Sequence, residues 1–441
     1  MTYDRRPLAA LCLGWFMVIV DMMIVNVALP SLGRDLHASV SGLQWVVDGY
    51  TVAFAGLLLT GGWLGDRLGS RRVFLLGLAV FGAASVGCAL APALGPLLVA
   101  RTVQGLAAAL MVPASLALVQ STYPDFDQRA RAVAGWALVG GVAGAVGPLA
   151  GGLLTSSLGW RAIFWVNVPV TVVALWLVRR FVGAAGPAGR NALPLDAVGQ
   201  VCGAAALLAL TAAVVEAGRT GLRSALPLVL VAAFVVAAVA LVVVERRGRR
   251  PLLDRRLLAE PTLAGSLGVG LLINFAYYGA VFVIGLWFQQ EAGYGALATG
   301  LAIAPITAAT LAGTWLGGRL NRRHGPRRAM LAGLPLGAAG LGGLAVLVWH
   351  VQYTWLIPAL LLGGFGISMS MVAATSAVVE AAPEGRAGLA TGLFNASRQV
   401  GSALGIAALG ALLAGADVRW ALLTGAAGYL AALGPAAMTG G

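Results

Sequence analysis

The chain has 441 residues, of which 59% are hydrophobic and only 10% are charged, and its formal net charge is +13. A soluble domain usually carries about 25% charged residues, so this composition argues against a soluble core and favours a polytopic membrane protein. The arginines cluster at the ends of apolar runs and form no basic face interspersed with aromatic side chains. That distribution excludes a nucleic-acid-binding domain.

Lysine is absent, and all 29 Lys or Arg positions are arginine. A P-loop needs a lysine, so the chain has no ATP site of that type, and Schiff-base chemistry is excluded for the same reason. Cys12, Cys88 and Cys202 fall inside apolar runs without metal-ligand spacing, and we interpret them as small packing residues. We therefore expect no metal and no other cofactor. The sequence contains no nucleophile–base set, which argues against an enzyme.

A helix needs about 20 apolar residues to cross a bilayer. By this criterion the sequence predicts fourteen spans, numbered here in chain order: 9–30, 43–64, 73–91, 96–120, 132–156, 160–179, 197–215, 224–244, 262–289, 295–318, 329–349, 355–378, 387–413 and 418–437. The first run is too long for the core of a cleavable signal peptide, so we expect it to remain in the protein.

The arginines also predict the orientation of these spans, because cytoplasmic loops carry an excess of basic residues. With the N-terminus inside, most arginines fall in inside loops, and only a few, such as Arg34 and Arg161, fall outside. The sequence therefore predicts an all-α polytopic membrane protein with both termini inside. We interpret the long basic inside segment, residues 245–260, as an orientation signal that lies on anionic headgroups.

A tight charged turn joins spans 2 and 3. It contains Gly62, Asp66, Arg67, Gly69, Arg71 and Arg72. The same pattern recurs in degraded form at residues 316–328, where we place Gly318 at the position of Asp66. A charged hairpin that repeats in both halves of an apolar chain is typical of a transporter built from two related bundles.

Two opposite charges are predicted at membrane depth in the first half of the chain, Asp21 in span 1 and Arg101 in span 4. Buried charges are costly and usually face a cavity, so both are functional candidates. Burial disfavours an ionised carboxylate and a nearby cation favours it, so Asp21 beside Arg101 is suited to gain and lose a proton. The alternative is a permanent ion pair that only holds helices together.

Two further charges in the spans leave more than one interpretation open. Asp48, in the outer part of span 2, is either a second proton site or a group that reaches interfacial water. Arg398, in span 13, has no acidic residue in spans 9 to 14 to pair with. It either binds an anionic group or donates hydrogen bonds to the backbone.

Span 5 carries a cluster of glycines around a proline: Gly144, Gly147, Pro148, Gly151 and Gly152. Glycines spaced by three or four residues form a flat face for close helix packing, and an internal proline bends a helix. Close packing alone explains the glycines. The proline in their midst favours a bent, sliding interface.

Aromatic and polar residues in several spans are candidates for the lining of a substrate cavity, although most aromatic residues of membrane proteins anchor at the interface or face lipid. The candidates are Trp15, Phe16, Gln104, Trp136, Asn274, Tyr278, Asn395 and Arg398.

Together these motifs resemble the major facilitator superfamily, and within it the fourteen-helix drug:proton antiporter branch, over nearly the whole chain. Residues 62–72 are similar to the family's loop 2–3 signature, with Ser70 where a basic residue is common. Residues 97–109 are similar to the helix 4 signature that is tied to proton coupling, and residues 147–152 to the helix 5 antiporter signature. Residues 21–30 and 160–169 are similar to segments of the fourteen-helix branch.

The resemblance implies two pseudo-symmetric six-helix bundles, residues 1–182 and 261–441, with two inserted helices and a basic inside loop in 183–260. It also implies that Asp66, Arg67 and Arg71 form an inside charge network that stabilises an outward-facing state. Asp21 and Arg101 would couple protons, and the helix 5 signature would favour export over import.

The implied function is proton-coupled export of amphipathic small molecules, such as drugs or antibiotics, by alternating access. The proton gradient would be the energy source, and we expect a monomer in the bacterial cytoplasmic membrane with protons, a small-molecule substrate and lipid as its partners. One alternative is a proton-coupled importer of a small metabolite. Another is a non-transporting membrane sensor.

Overall fold

The computed structural model describes residues 4–123, 125–183, 197–221, 224–247, 259–348, 352–382 and 387–439, and the secondary structure in these ranges is helical. The helices are α1 (Arg6–Asp35), α2 (Val40–Leu68), α3 (Ser70–Ala89), α4 (Leu94–Thr122), α5 (Phe126–Leu158), α6 (Ala162–Trp165), α7 (Asn167–Phe181), α8 (Ala197–Thr220), α9 (Ala225–Arg247), α10 (Pro261–Gln290), α11 (Ala296–Leu347), α12 (Tyr353–Ala381), α13 (Ala387–Gly415), α14 (Val418–Ala431) and α15 (Leu433–Met438).

Within the described residues, 12 helical stretches are long and apolar enough to cross a membrane. This result confirms the predicted all-α, multi-pass class. Predicted span 6 corresponds to α6 and α7 together, and predicted span 14 to α14 and α15. Predicted spans 10 and 11 both fall in α11, which is 52 residues long and is interrupted by non-helical backbone at Gly325.

Acidic side chains cap the starts of several helices. The Asp125 side chain accepts a hydrogen bond from the backbone N–H of Gln128 at 2.9 Å at the start of α5. Glu260 accepts one from Leu263 at 2.7 Å at the start of α10. The first N–H groups of a helix have no partner within it, so these caps help to define where the helices begin.

One compact unit comprises residues 1–38, 45–195 and 295–300. Inside it α1 packs against α5 and α7, and α3 packs against α4 and α7. At one end the carboxylate of Asp35 accepts hydrogen bonds from Arg161 at 2.6 Å and from the indole of Trp160 at 2.9 Å. Arg161 also donates to the carbonyl of Ala91 at 3.2 Å. These bonds connect the ends of α1 and α3 to the segment that enters α6.

The other compact unit comprises residues 39–44, 196–294 and 301–441. Helices α10 and α13 pack closely in it, since a Cβ atom on Gly401 would lie 2.8 Å from the carbonyl carbon of Leu271. Helices α8 and α9, the predicted insertion, pack on each other and belong to this unit. Many apolar side chains of α9 are exposed, as Val236 is to 69%, so this helix is suited to contact lipid.

Two glycines with positive φ determine how the charged turns are built. Gly69, between α2 and α3, has a φ of 92°, and Gly325 within α11 has a φ of 80°. L-residues with a side chain rarely adopt such values, so these glycines set the register of the repeated turn. In that register Arg322 stands where the first turn has Asp66. We assigned Gly318 to that place from the Leu-Gly pair that precedes it. That assignment is wrong, because the positive φ of Gly325 sets a different register.

We expect Gly69→Ala to lower the free energy of unfolding by about 1–2 kcal/mol, since a Cβ atom is disfavoured at left-handed φ. The matched control is Gly95→Ala in α4, where a Cβ atom would meet nothing within 4 Å. Thermal unfolding of both variants in detergent tests the prediction. Equal unfolding midpoints would contradict the role assigned to Gly69.

Candidate functional site

Asp21 of α1 and Arg101 of α4 form an ion pair in the interior of the first unit. The Nη1 atom of Arg101 lies 2.5 Å from Oδ2 of Asp21, and both residues are fully buried. Removing one member of a buried ion pair costs about 3–5 kcal/mol, because the remaining charge has no partner. The pairing that the sequence suggested is present in the structure.

Polar side chains from α3, α4 and α7 complete the surroundings of Asp21. The Nη1 atom of Arg101 also donates to Gln104 Oε1 at 2.8 Å, and Gln104 Nε2 donates to Ser85 Oγ at 2.8 Å. Asn167 Nδ2 donates to Asp21 Oδ1 at 2.8 Å. Both oxygens of the carboxylate therefore accept hydrogen bonds, and a change in its charge would affect side chains on three other helices.

Arg101 has two further kinds of contact. Its Nε atom donates to the carbonyl of Val46 in α2 at 3.1 Å. Its guanidinium carbon lies 4.5 Å from the centre of the Tyr50 ring and 5.8 Å from that of Phe164. Aromatic faces attract a desolvated guanidinium, so the cation is stabilised by an acid, neutral acceptors and rings together.

Sequence reasoning identified Asp21, Arg101 and Gln104 but missed Ser85, Cys88 and Asn167. The Cys88 thiol, interpreted as an apolar packing group, donates to Gln104 Oε1 at 3.2 Å. Ser85 and Cys88 are common residues in membrane helices and gave no signal. Asn167 was the one detectable member, because it is an amide side chain in an apolar segment and is almost fully buried.

Asp48 of α2 is fully buried, and neither of its carboxylate oxygens accepts a hydrogen bond from the residues that the structure describes. It is also not part of the network around Asp21. A buried carboxylate without donors is destabilised when ionised, which favours a neutral, protonated form in this conformation.

The structure places the residues of the charged turn as follows. The Arg67 guanidinium lies 5.2 Å from the Trp63 ring centre, and Arg71 donates to the backbone carbonyl of Arg179 at the end of α7 at 3.0 Å. Gly62 lies in α2 near Pro113, and Arg72 lies in the first turn of α3. The side chain of Asp66 lies outside the described part of the chain, so the implied charge network stays a prediction.

The glycines of α5 have different surroundings. A Cβ atom on Gly151 would lie 2.7 Å from the carbonyl oxygen of Ile24 in α1, and Gly147 also lies against α1. Gly152 lies against the start of α11, where a Cβ atom would meet the carbonyl oxygen of Ala296 at 2.8 Å. A Cβ atom on Gly144 would meet nothing within 4 Å. The signature therefore serves close packing at three of its four glycines, and Pro148 lies inside the helix.

The candidate cavity residues separate into groups. Trp15 and Trp136 stack with ring centres 4.4 Å apart, and Trp136 donates to Ser115 Oγ at 3.2 Å. Phe16 is half-buried in α1, and Gln104 belongs to the network around Asp21. The remaining four lie in the second unit, on the closely packed helices α10 and α13: Asn274, Tyr278, Asn395 and Arg398.

Among the residues that the structure describes, no three His, Cys, Asp or Glu side chains come together in a way that could hold a metal ion. Asp21 and Arg101 instead form a hydrogen-bonded carboxylate–guanidinium site. Such a site can bind and release a proton or exchange an ion-pair partner. It has no nucleophile and base arranged for a covalent step.

Many apolar helices with a buried ion pair between them define a polytopic membrane transporter. Residues 11–406 match the sequence profile of the Major Facilitator Superfamily. The chain belongs to this family, and it is a transporter and not an enzyme.

Two curated relatives and one solved structure illustrate the similarity. The chain is 35% identical to the multidrug resistance protein Stp of Mycobacterium tuberculosis, over 92% of this chain and 75% of that protein. It is 33% identical to the methylenomycin A resistance protein of Streptomyces coelicolor, over 92% and 85% respectively. The human organic anion transporter MFSD10 has the same fold, with a TM-score of 0.70 and 18% identity over 99% and 100% of the two chains.

We expect Ser85→Ala to lower the free energy of unfolding by about 1–3 kcal/mol, because Gln104 and Asn167 would both lose a buried acceptor. Ser266→Ala is the matched control, since Ser266 is equally buried but bonds only to the carbonyl of Thr262 in its own helix. Denaturation in detergent measures both. A cost as large for Ser266→Ala would contradict the importance of the network.

We expect Gly151→Ala to destabilise the protein by about 1–3 kcal/mol, because the added methyl group meets the backbone of α1. Gly144→Ala in the same helix should have little effect, since that position is open. Thermal unfolding midpoints and transport rates of the two variants should therefore differ. If they coincide, the packing role of Gly151 is wrong.

Proposed function

We propose that the protein exports amphipathic small molecules, such as drugs or antibiotics, in exchange for protons by alternating access. The observation that carries this proposal is the buried network around Asp21 and Arg101 in a chain whose relatives are named as drug and antibiotic resistance proteins. A structural ion pair alone does not need a carboxylate that also accepts hydrogen bonds from Gln104 of α4 and Asn167 of α7.

The chemistry of the network suits proton coupling. In the described conformation the side-chain oxygens of Asp21 accept hydrogen bonds from Arg101, Gln104 and Asn167. A proton that binds to its carboxylate removes the negative charge, and Arg101 then becomes a buried cation without a counterion. Because that state is costly, protonation favours a rearrangement of α1 and α4. Loss of the proton on the other side of the membrane would restore the pair.

Asp48 is the second proton site in this proposal. Its burial without hydrogen-bond donors supports a protonated carboxyl in the described conformation. Exposure to water in another conformation would release that proton. Asp66, Arg67 and Arg71 would act in the inside charge network that the family resemblance implies, and the glycines and Pro148 of α5 would form the interface that moves.

The transport cycle requires a defined topology, and we propose fourteen spans with both termini inside the cell. Helix α11 supports this count because its 52 residues are broken at Gly325, and the stretches 296–324 and 326–347 are each long enough for the roughly 20 residues that a crossing needs. Helix α2, with 29 residues, is also long enough. The arrangement would comprise bundles at residues 1–182 and 261–441 and an insertion at 183–260.

The proposed setting is a bacterial cytoplasmic membrane, where the protein would work as a monomer driven by the proton gradient and without a cofactor. Relatives from Mycobacterium and Streptomyces support the bacterial setting. The absence of lysine excludes an ATP site of the P-loop type, which supports a gradient as the energy source.

We expect Asp21→Asn to abolish substrate-driven proton flux while substrate binding is retained, because an amide cannot carry the proton. The measurement uses proteoliposomes with an internal pH indicator and a panel of cationic, neutral and anionic dyes. Asp35→Asn is the control, since Asp35 lies at the end of the same helix and its side chain is 48% exposed.

Three results would change the proposal. If Asp21→Asn still couples, the Asp21–Arg101 pair is structural, and Asp48→Asn should then abolish the flux. If protons and dye move in the same direction, the protein is an importer. If deletion of the gene removes resistance while the purified protein moves no dye and no proton, the sensor alternative is favoured.

A further inference from the structure

Arg398 lies deep within a membrane helix of the second unit. It is about 17 residues before the end of α13 at Gly415 and about 11 after its start at Ala387. At 1.5 Å per residue these separations correspond to about 25 Å and 16 Å along the helix axis. Charges at such depth are rare and usually serve a ligand or an ion pathway.

The guanidinium of Arg398 has little to bind in its surroundings. Its Nη1 atom donates to Asn395 Oδ1 at 3.1 Å, and its central carbon lies 5.9 Å from the Phe394 ring centre. The Nε atom is buried and has no acceptor among the described residues. The ion pairs of the described chain are Arg101–Asp21, Arg161–Asp35 and Arg219–Glu216, so Arg398 has no carboxylate partner there.

The comparison with Arg101 shows what Arg398 lacks. Arg101 is fully buried and binds Asp21, Gln104 and a backbone carbonyl, whereas Arg398 is half-buried. Among the described residues Arg398 donates to a single neutral acceptor, and its Nε atom is buried without one. An arginine cannot lose its charge, so an external anion would compensate this guanidinium.

Helix α10 packs against α13 beside Arg398, and the register of the two helices determines which polar side chains lie near its guanidinium. A Cβ atom on Gly270 of α10 would lie 3.3 Å from Cγ of Arg398, and Gly401 lies against Leu271. The two helices therefore run in the same direction, with Gly270 beside Arg398 and Leu271 beside Gly401. One turn further along, this register brings Asn274 of α10 to the level of Ser402 of α13, because residues four apart share a helix face.

Ser402 and Asn274 are both almost fully buried, and the hydroxyl of Ser402 has no partner among the described residues. Asn274 Nδ2 donates to the carbonyl of Gly270 at 2.7 Å. The Nε atom of Arg398 and the hydroxyl of Ser402 are thus two donors without a described acceptor, a combination that suits an oxyanion.

We propose that Arg398 is the anchor of a carboxylate-binding subsite, with Ser402 as a second donor and Asn395 as the residue that positions the guanidinium. The planar guanidinium can donate two parallel hydrogen bonds to a carboxylate. This inference rests on the proposed export function and deepens it, because it assigns the substrates to amphipathic molecules that bear a carboxylate group. The depth of Arg398 favours such a molecule over a lipid phosphate as the source of the anion.

The test measures binding of a fluorescent carboxylic acid dye and of its neutral methyl ester to the purified full-length protein in non-ionic detergent. Fluorescence polarisation gives the two dissociation constants. We expect the wild type to bind the acid at least about tenfold more tightly than the ester. Arg398→Gln should remove that preference, and Arg398→Lys should retain part of it, because lysine keeps the charge but not the two-pronged geometry.

Arg319→Gln is the matched control, since Arg319 is an exposed arginine of the same unit that lies over Trp315. Its preference for the acid should equal that of the wild type. Equal binding of acid and ester by the wild type, or a preference that survives in Arg398→Gln, would overturn the proposal. Weaker binding of both dyes to the same extent in Arg398→Gln would indicate a structural role and would also overturn it.

Two further measurements distinguish a substrate carboxylate from a lipid phosphate, and the subsite from the export function. If phosphatidylglycerol, added to the micelles, displaces the acid dye from the wild type whereas phosphatidylcholine does not, the anion site belongs to lipid phosphate and the carboxylate assignment is wrong. Proton flux driven by the ester dye in proteoliposomes tests the exporter function by itself. Equal binding of acid and ester by the wild type, together with ester-driven proton flux, would therefore refute the subsite and leave the proposed function standing.

Discussion

The interior of this protein depends on the high cost of an isolated charge within the membrane. Arg101 cannot be neutralised by losing its proton, so a carboxylate must be close to it, and Asp21 provides one at 2.5 Å. The carboxylate in turn needs donors for its other oxygen, and Asn167 and Gln104 supply them. A single electrostatic requirement thereby specifies how α1, α3, α4 and α7 pack in the first unit.

In the second unit the cation at membrane depth, Arg398, has different surroundings. The neighbours of Arg398 on α10 and α13 are glycines, amides, a hydroxyl and an aromatic ring, without a described acid. The close contact of these two helices at Gly401 keeps the polar group compact. If the first unit exchanges protons and the second receives an anionic group, Arg101 and Arg398 have separate tasks in one transport cycle. This division follows from their counterions. Arg101 has a carboxylate partner in its own unit, whereas Arg398 has none among the described residues.

Individual residues show how far sequence reasoning reached. Asp21 and Arg101 were identifiable because a charge in an apolar run has few explanations, and the carboxylate pairs with the arginine as expected. Ser85 and Cys88 were not, since small polar residues bond to their own helix backbone as readily as to a distant side chain. The repeated turn was recognised but its register was not, because only the backbone conformation distinguishes Gly325 from the other glycines of that segment.

The sequence by itself determined the class of protein, most of its helices and the short set of charges that must be buried, because these follow from local hydrophobicity and from the positions of arginine along the chain. The tertiary structure alone decided which groups surround each charge. It assigned Asn167 and Ser85 to the Asp21 site and placed Arg398 against α10, and among the described residues it gave Asp48 no donor and Arg398 no acid. These are contacts between residues far apart in the chain, and they depend on helix rotation and register, which hydrophobic patterning does not specify.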